Sequence, residues 1–137
     1  MKRILAIDYG EVRIGFAYSD TLGISANPLE TYKAKHTDQD FEYIRDIVTK
    51  FDIGKIVFGL PLNMDGTEGD RVIKTREFAE KLAEYVSVPF DWQDERLSSV
   101  TAEDALIEQG VRREKRKNVI DKVAAVVILR SYLDRTN

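Results

Sequence analysis

The sequence predicts an α/β protein built on a mixed sheet, and three observations carry that prediction. Ile4 to Ile7 form an unbroken apolar run between Arg3 and Asp8, the pattern of a strand buried on both faces. Arg13 to Ser19 follows after a short link containing Gly10 and returns as an antiparallel neighbour. Lys55 to Leu60 is a further apolar run entered from a helix, so a parallel crossover onto the same sheet is the economical topology.

The elements follow in order. Asp8 leaves the first strand, where a half-desolvated carboxylate is costly unless it is paired, hydrogen-bonded or bound to a cation. Pro28 to Tyr32 alternates apolar and polar residues and predicts a third short strand. His36-Thr37-Asp38 offers N-cap residues for a helix with Phe41, Ile44, Ile47, Val48 and Phe51 on its core side, closed by Gly54. His36, the only histidine, fits a solvated loop. After Leu60 comes a long link with two glycines, Pro61 to Gly69, on the strand edge where open α/β sheets bind ligands; Asn63 and Thr67 are its candidate contacts. It lacks the Gly-Lys-Ser/Thr ending of a Walker loop.

A second helix is expected from about Asp70 to Ser87, with Val72, Ile73, Phe78, Leu82, Ala83 and Val86 on its core side. Arg71 and Lys74 near its start oppose the helix dipole, which an anionic ligand or a neighbouring acid would offset. Val88 to Glu95 predicts an edge strand that again ends in acid. Leu97 to Gln109 predicts a short helix stopped by Gly110. Arg112, Arg113, Lys115, Arg116 and Lys117 then set five cations against Glu114 alone, a loop-like tract ahead of a helix from about Asn118 to Leu133. On that helix Asp121 shares a stripe with Ala124, Ala125, Ile128 and Tyr132, so a close helix–sheet approach would bring it beside acids at strand ends.

Composition narrows the chemistry. A chain of 137 residues predicts one domain, residues 1–137. No cysteine is present, which removes disulfides, thiolate catalysis and zinc–thiolate sites and suits a reducing cytoplasm. No apolar run approaches the roughly 20 residues of a membrane span, so no membrane partner is expected. With a formal net charge of −3, any nucleic acid must be held by a local basic patch. Asp8, Glu95 and Asp121 are three acids that separate elements could deliver to one sheet edge. Oxygen ligands of that kind select hard cations, Mg²⁺ or Mn²⁺, and the ions would relieve the repulsion among the carboxylates. A two-ion site of that kind could support phosphodiester hydrolysis.

Four segments in order resemble the YqgF (RuvX) family: Asp8-Tyr9-Gly10 with Arg13-Ile14-Gly15, Gly59 to Thr67, Asp94-Glu95-Arg96-Leu97-Ser98, and Asp121 to Ala125 with Ile128-Leu129. Its members, first described as Holliday junction resolvases, are now regarded as nucleases maturing precursor 16S rRNA, with branched DNA as the alternative substrate. The resemblance implies an RNase H-like fold, a five-stranded mixed sheet of order 3-2-1-4-5 flanked by helices, with metal-bound, catalytic carboxylates at Asp8, Glu95 and Asp121. Ser99 stands where the family more often has threonine. A fourth acid has no clear match, with Glu11 and Asp94 as candidate helpers. The nucleic acid, precursor rRNA or branched DNA, would meet Arg13, Asn63, Thr67, Arg71, Arg96 and the basic tract. A homodimer is compatible with this reading. The Asp-x-Gly start also resembles the first phosphate loop of actin-like ATPases, which need two such domains. A non-catalytic nucleic-acid-binding or ribosome-assembly module is the remaining alternative.

Overall fold

A computed structural model describes residues 2–61, 69–94 and 113–136, with side chains in the last stretch described from Ala124 onward. Strand β1 (Arg3–Tyr9) lies at the sheet centre, antiparallel to β2 (Arg13–Ser19) from Leu5 opposite Tyr18 to Tyr9 opposite Ile14. The link between them turns at Gly10, where a Cβ would come within 2.4 Å of the Arg13 carbonyl oxygen, so the close backbone approach requires glycine. On its other side β1 runs parallel to β5 (Ile53–Leu60), and β5 runs parallel to β6 (Phe90–Asp94).

The third expected strand is broken in two. β3 (Ala26–Pro28) and β4 (Tyr32–Lys33) each pair with β2, giving six strands among the described residues in the path β3-β2-β1-β5-β6, with β4 beside β2. Bonding to β2 runs one residue past β3, where the Leu29 amide donates to the Phe16 carbonyl at 2.9 Å, and the chain rejoins β2 at Tyr32. Apart from that break, the order is the expected 3-2-1-4-5.

Helix α1 (Asp38–Lys50) is capped by Thr37, whose side chain accepts from the Gln39 amide. Its Asp40 is buried and accepts from the Tyr32 hydroxyl at 2.8 Å and from the Lys35 and His36 amides at 3.0 Å, which fixes the connection from β4. Burial, with this hydrogen bond second, pushes the Tyr32 hydroxyl up to about 12. The helix ends at Phe51 and Asp52, the latter left-handed at φ 53°, earlier than the expected stop at Gly54. Gly54 serves β5 instead, since a Cβ there would meet that of Lys2 at 2.6 Å.

Helix α2 (Asp70–Leu82) is shorter than expected, because the chain turns over residues 83–85 on its way to Pro89 and β6. Its buried face is Val72, Thr75, Phe78, Ala79 and Leu82, while Ile73 is exposed and Ala83 lies outside the helix. Helix α3 (Arg113–Thr136) begins earlier than expected, so the backbone of Arg113, Lys115, Arg116 and Lys117 is helical rather than a loop. The expected helix over 97–109 lies outside the described residues.

Two cores result. Leu5, Ile7, Ile14, Phe16, Ile56 and Phe58 face α1 and α2, whereas Ala6, Ala17 and Val57 face Ala125, Ile128, Leu129, Tyr132 and Leu133 of α3. Strand alternation sends successive side chains to these opposite cores.

Candidate active site

The three parallel strands β1, β5 and β6 present their C-terminal ends on one edge of the sheet, at Asp8-Tyr9, Leu60 and Asp94. Asp8 is half-buried, opposite Gly15 on β2. Its position in the alternation, two residues after Ala6, directs it to the α3 face. Arg13 and Gly15 share that parity with Ala17, so Arg13 lies on the same face and edge as Asp8. Its strand neighbours on this face include Ala6, Gly15 and Arg13.

Arg71 approaches the same edge from the opposite face. With Tyr9, Gly10, Glu11 and Lys74 it borders a cleft of about 320 Å³ where β1 exits. Glu11, on the β1–β2 turn, is ion-paired with Lys74 of α2. The hydrogen bond from Lys74, followed by its charge, lowers the Glu11 pKa; the same contacts raise that of Lys74. The sequence marks Glu11 as a candidate helper at a cation site and Lys74 as a cation that an anionic ligand or a neighbouring acid would offset, and nothing local links these two residues 63 positions apart. Tyr9 sits against Phe78 at 4.5 Å between ring centres, and burial, more than the nearby Glu11, raises its hydroxyl pKa.

The larger cavity, about 400 Å³, lies between α1 and α2 on the aromatic side of the sheet. It is lined by His36, Asp38, Lys81 and Tyr85 among others, and it shares Tyr9 and Lys74 with the cleft at the β1 exit. His36 is exposed, as a loop residue should be.

Helix α3 is fixed at its C-terminal half. Lys55 donates to the Tyr132 hydroxyl at 2.9 Å, and that hydroxyl donates to Asp91 Oδ2 at 2.7 Å, tying α3 to β5 and β6. Arg135 adds bonds to the Gln93 side chain at 3.0 Å and the Trp92 carbonyl at 3.2 Å. Ala124 and Ala125 are buried at 3% and 0% exposure, so the alanine stripe does pack inward, and the backbone of Asp121 lies one helical turn before Ala125. Asp94 ends β6 opposite Leu60 and is exposed. Glu95, Asn63, Thr67, Arg96 and Arg112 lie outside the described residues. Among the described residues, no three acids or histidines cluster as a cation site. Asp8 is the described carboxylate on the α3 side of this edge, an oxygen donor of the type that hard cations take.

The comparisons with known proteins agree with this layout. A family model described as "RuvX: Holliday junction resolvase" matches residues 2–135. A protein of Syntrophomonas wolfei named "Putative pre-16S rRNA nuclease" is 46% identical over 132 residues, covering 96% of this chain and 94% of its own. One of the same name from Halothermothrix orenii is 47% identical over 135 residues, covering 98% and 96%. Among solved structures, Thermus thermophilus RuvC in complex with Holliday junction substrate superposes with a TM-score of 0.58 at 14% identity, over 100% of this chain and 97% of that one. The fowlpox virus Holliday junction resolvase gives 0.58 at 11% identity, over 97% and 99%. These two likenesses establish the RNase H-like fold. With its mixed sheet, its acid at the exit of β1 and a family match across nearly its whole length, the chain belongs to the RuvX Holliday junction resolvase family.

Proposed function

We propose that this chain is a metal-dependent endonuclease that hydrolyses phosphodiester bonds in precursor 16S rRNA, acting in the cytoplasm as one nuclease domain over residues 1–137. The observation that carries this reading is the placement of Asp8 on the C-terminal sheet edge and on the face covered by the alanine stripe of α3. Asp121 is one turn ahead on that helix, and Glu95 directly follows the last residue of β6 in the chain. The names of the relatives support RNA as substrate. The family description supports branched DNA as the second reading.

The residues would divide the work as follows. Asp8, Glu95 and Asp121 would hold Mg²⁺ or Mn²⁺, a cation that supplies acidification of water and neutralisation of charge on the phosphate under attack. Arg13 and Arg71 flank the Asp8 exit from opposite faces and would hold phosphates on either side of the scissile bond. Asn63, Thr67, Arg96 and the basic tract from Arg112 to Lys117 would extend that grip along the strand, which a chain of net charge −3 needs in order to retain a polyanion.

The test is cleavage of a precursor 16S rRNA fragment and of a four-way DNA junction, with Mg²⁺ or Mn²⁺, by wild type and by Asp8→Asn. Cleavage that requires the cation and falls at least about a hundredfold in Asp8→Asn is expected, with RNA as the better substrate. Equal rates for the two proteins would exclude the assignment of Asp8. Binding without cleavage under every condition would leave a non-catalytic module.

A further inference from the structure

The cleft at the exit of β1 contains a cation that none of these roles uses. Lys74 lies one turn beyond Arg71 on α2, and both line the cleft with Tyr9 and Gly10. Its ammonium is held by Glu11 from across the cleft. The pair is not sealed in: the Lys74 and Glu11 side chains are 52% and 58% exposed, so water and small ions reach both. An exposed pair of this kind shifts an equilibrium by only a few-fold, and another anion can exchange for the carboxylate. On the β1 side the cleft is bordered by Tyr9, the Gly10 backbone and Glu11, and on the α2 side by Arg71 and Lys74.

We propose that Lys74 is a phosphate-binding residue of the substrate cleft and that Glu11 occupies its ammonium in the free protein as a stand-in for the phosphate. This rests on the nuclease reading and deepens it. A nucleic-acid backbone entering along Arg71 brings a phosphate oxygen to the position Glu11 holds, the carboxylate swings to water, and Lys74 exchanges one anion for another. Two consequences follow. Without nucleic acid, Glu11 keeps Lys74 from attracting other anions into the cleft. With nucleic acid, Glu11 competes with the substrate and sets an upper limit on affinity.

The experiment measures binding of a labelled precursor 16S rRNA fragment and of a four-way DNA junction in EDTA, across a salt series, with wild type, Glu11→Gln, Lys74→Ser, Lys74→Arg and the double variant Glu11→Gln/Lys74→Ser. Glu11→Gln should tighten binding about two- to fivefold. Lys74→Ser should weaken it and reduce the slope of log affinity against log salt by about 0.7–0.9, with Lys74→Arg keeping the wild-type slope. In the double variant the gain from Glu11→Gln should largely disappear. A gain from Glu11→Gln that is the same with and without Lys74, or a Lys74→Ser variant with unchanged affinity and slope, would overturn the proposal and leave the pair as a clasp between the turn and α2. Cleavage by wild type, measured on the same samples with Mg²⁺ restored, separates that outcome from failure of the nuclease reading. A wild type that binds neither nucleic acid would overturn both.

Discussion

Val57 and Phe58 are consecutive residues of β5, both fully buried, yet they belong to cores of different make-up. Phe58 enters the face under α1 and α2, where it meets Phe90 at 5.4 Å and Trp92 at 5.3 Å between ring centres. Phe78 meets Tyr9 and Phe41 there at 4.5 and 5.0 Å. Val57 enters the face under α3, where Ala6, Ala17 and Ala125 meet the larger Ile128, Leu129, Tyr132 and Leu133 of the helix. Large rings keep α1 and α2 at a distance and bury much apolar area, whereas alanines let α3 come close to the sheet. The thick face stabilises the fold, and the thin face places α3 relative to Asp8. A residue's effect on function should therefore depend on which face it enters more than on how much it buries.

The strongest way to test that division is Phe58→Ala, which should cost about 3–5 kcal/mol in denaturant unfolding. The fraction that remains folded should still cleave substrate at nearly the wild-type rate. Ala125→Leu should reverse the pattern. Overpacking the thin face should cost about 1–3 kcal/mol and lift α3 from the sheet, so that metal-dependent cleavage falls far more than the folded fraction does. If both variants lost activity only in proportion to unfolding, the two faces would be equivalent.

A smaller effect is expected at Tyr132, the fixed end of α3. Tyr132→Phe removes the hydroxyl between Lys55 and Asp91 and should cost about 1 kcal/mol near neutral pH. The hydrogen bond from Tyr132, then that from the Trp92 amide, holds the Asp91 pKa below its ordinary value. A carboxylate whose pKa is lower in the folded protein contributes stability above its unfolded pKa, about 3.9, and loses it as pH falls through the folded value. The deficit of Tyr132→Phe should accordingly shrink in unfolding measurements below about pH 4. A deficit independent of pH between 7 and 3 would show that the hydroxyl does not act through Asp91.

The sequence made the sheet legible because its signals are local or periodic. The run from Ile4 to Ile7, the return from Arg13 and the apolar strand after α1 all sit where they were expected. Thr37 caps α1 as a short polar residue ahead of an apolar period should. The departures have long-range causes. Asp40 is buried because Tyr32 and two amides of the β4–α1 connection satisfy it, which a helical wheel cannot show. Ile73 is exposed, and Thr75 can be buried because its hydroxyl bonds back to the Arg71 carbonyl at 2.7 Å and needs no partner in the core. Of the candidate site, the position of Asp8 at the exit of β1 and the inward packing of the alanine stripe could be read from strand and helix periods. The Glu11–Lys74 and Lys55–Tyr132–Asp91 contacts could not, since they join residues far apart in the chain.

On the proposed function, the thin face serves a shared cation site, with Asp8 from β1 and Asp121 from α3 as ligands to the same ions. Calorimetric titration with Mn²⁺ of wild type, Asp8→Asn, Asp121→Asn and the double variant tests it most directly. Each single change should weaken Mn²⁺ binding at least about tenfold, and the double change should cost less than the product of the two, as residues of one site do. An Asp121→Asn protein that binds Mn²⁺ as tightly as wild type would contradict the claim.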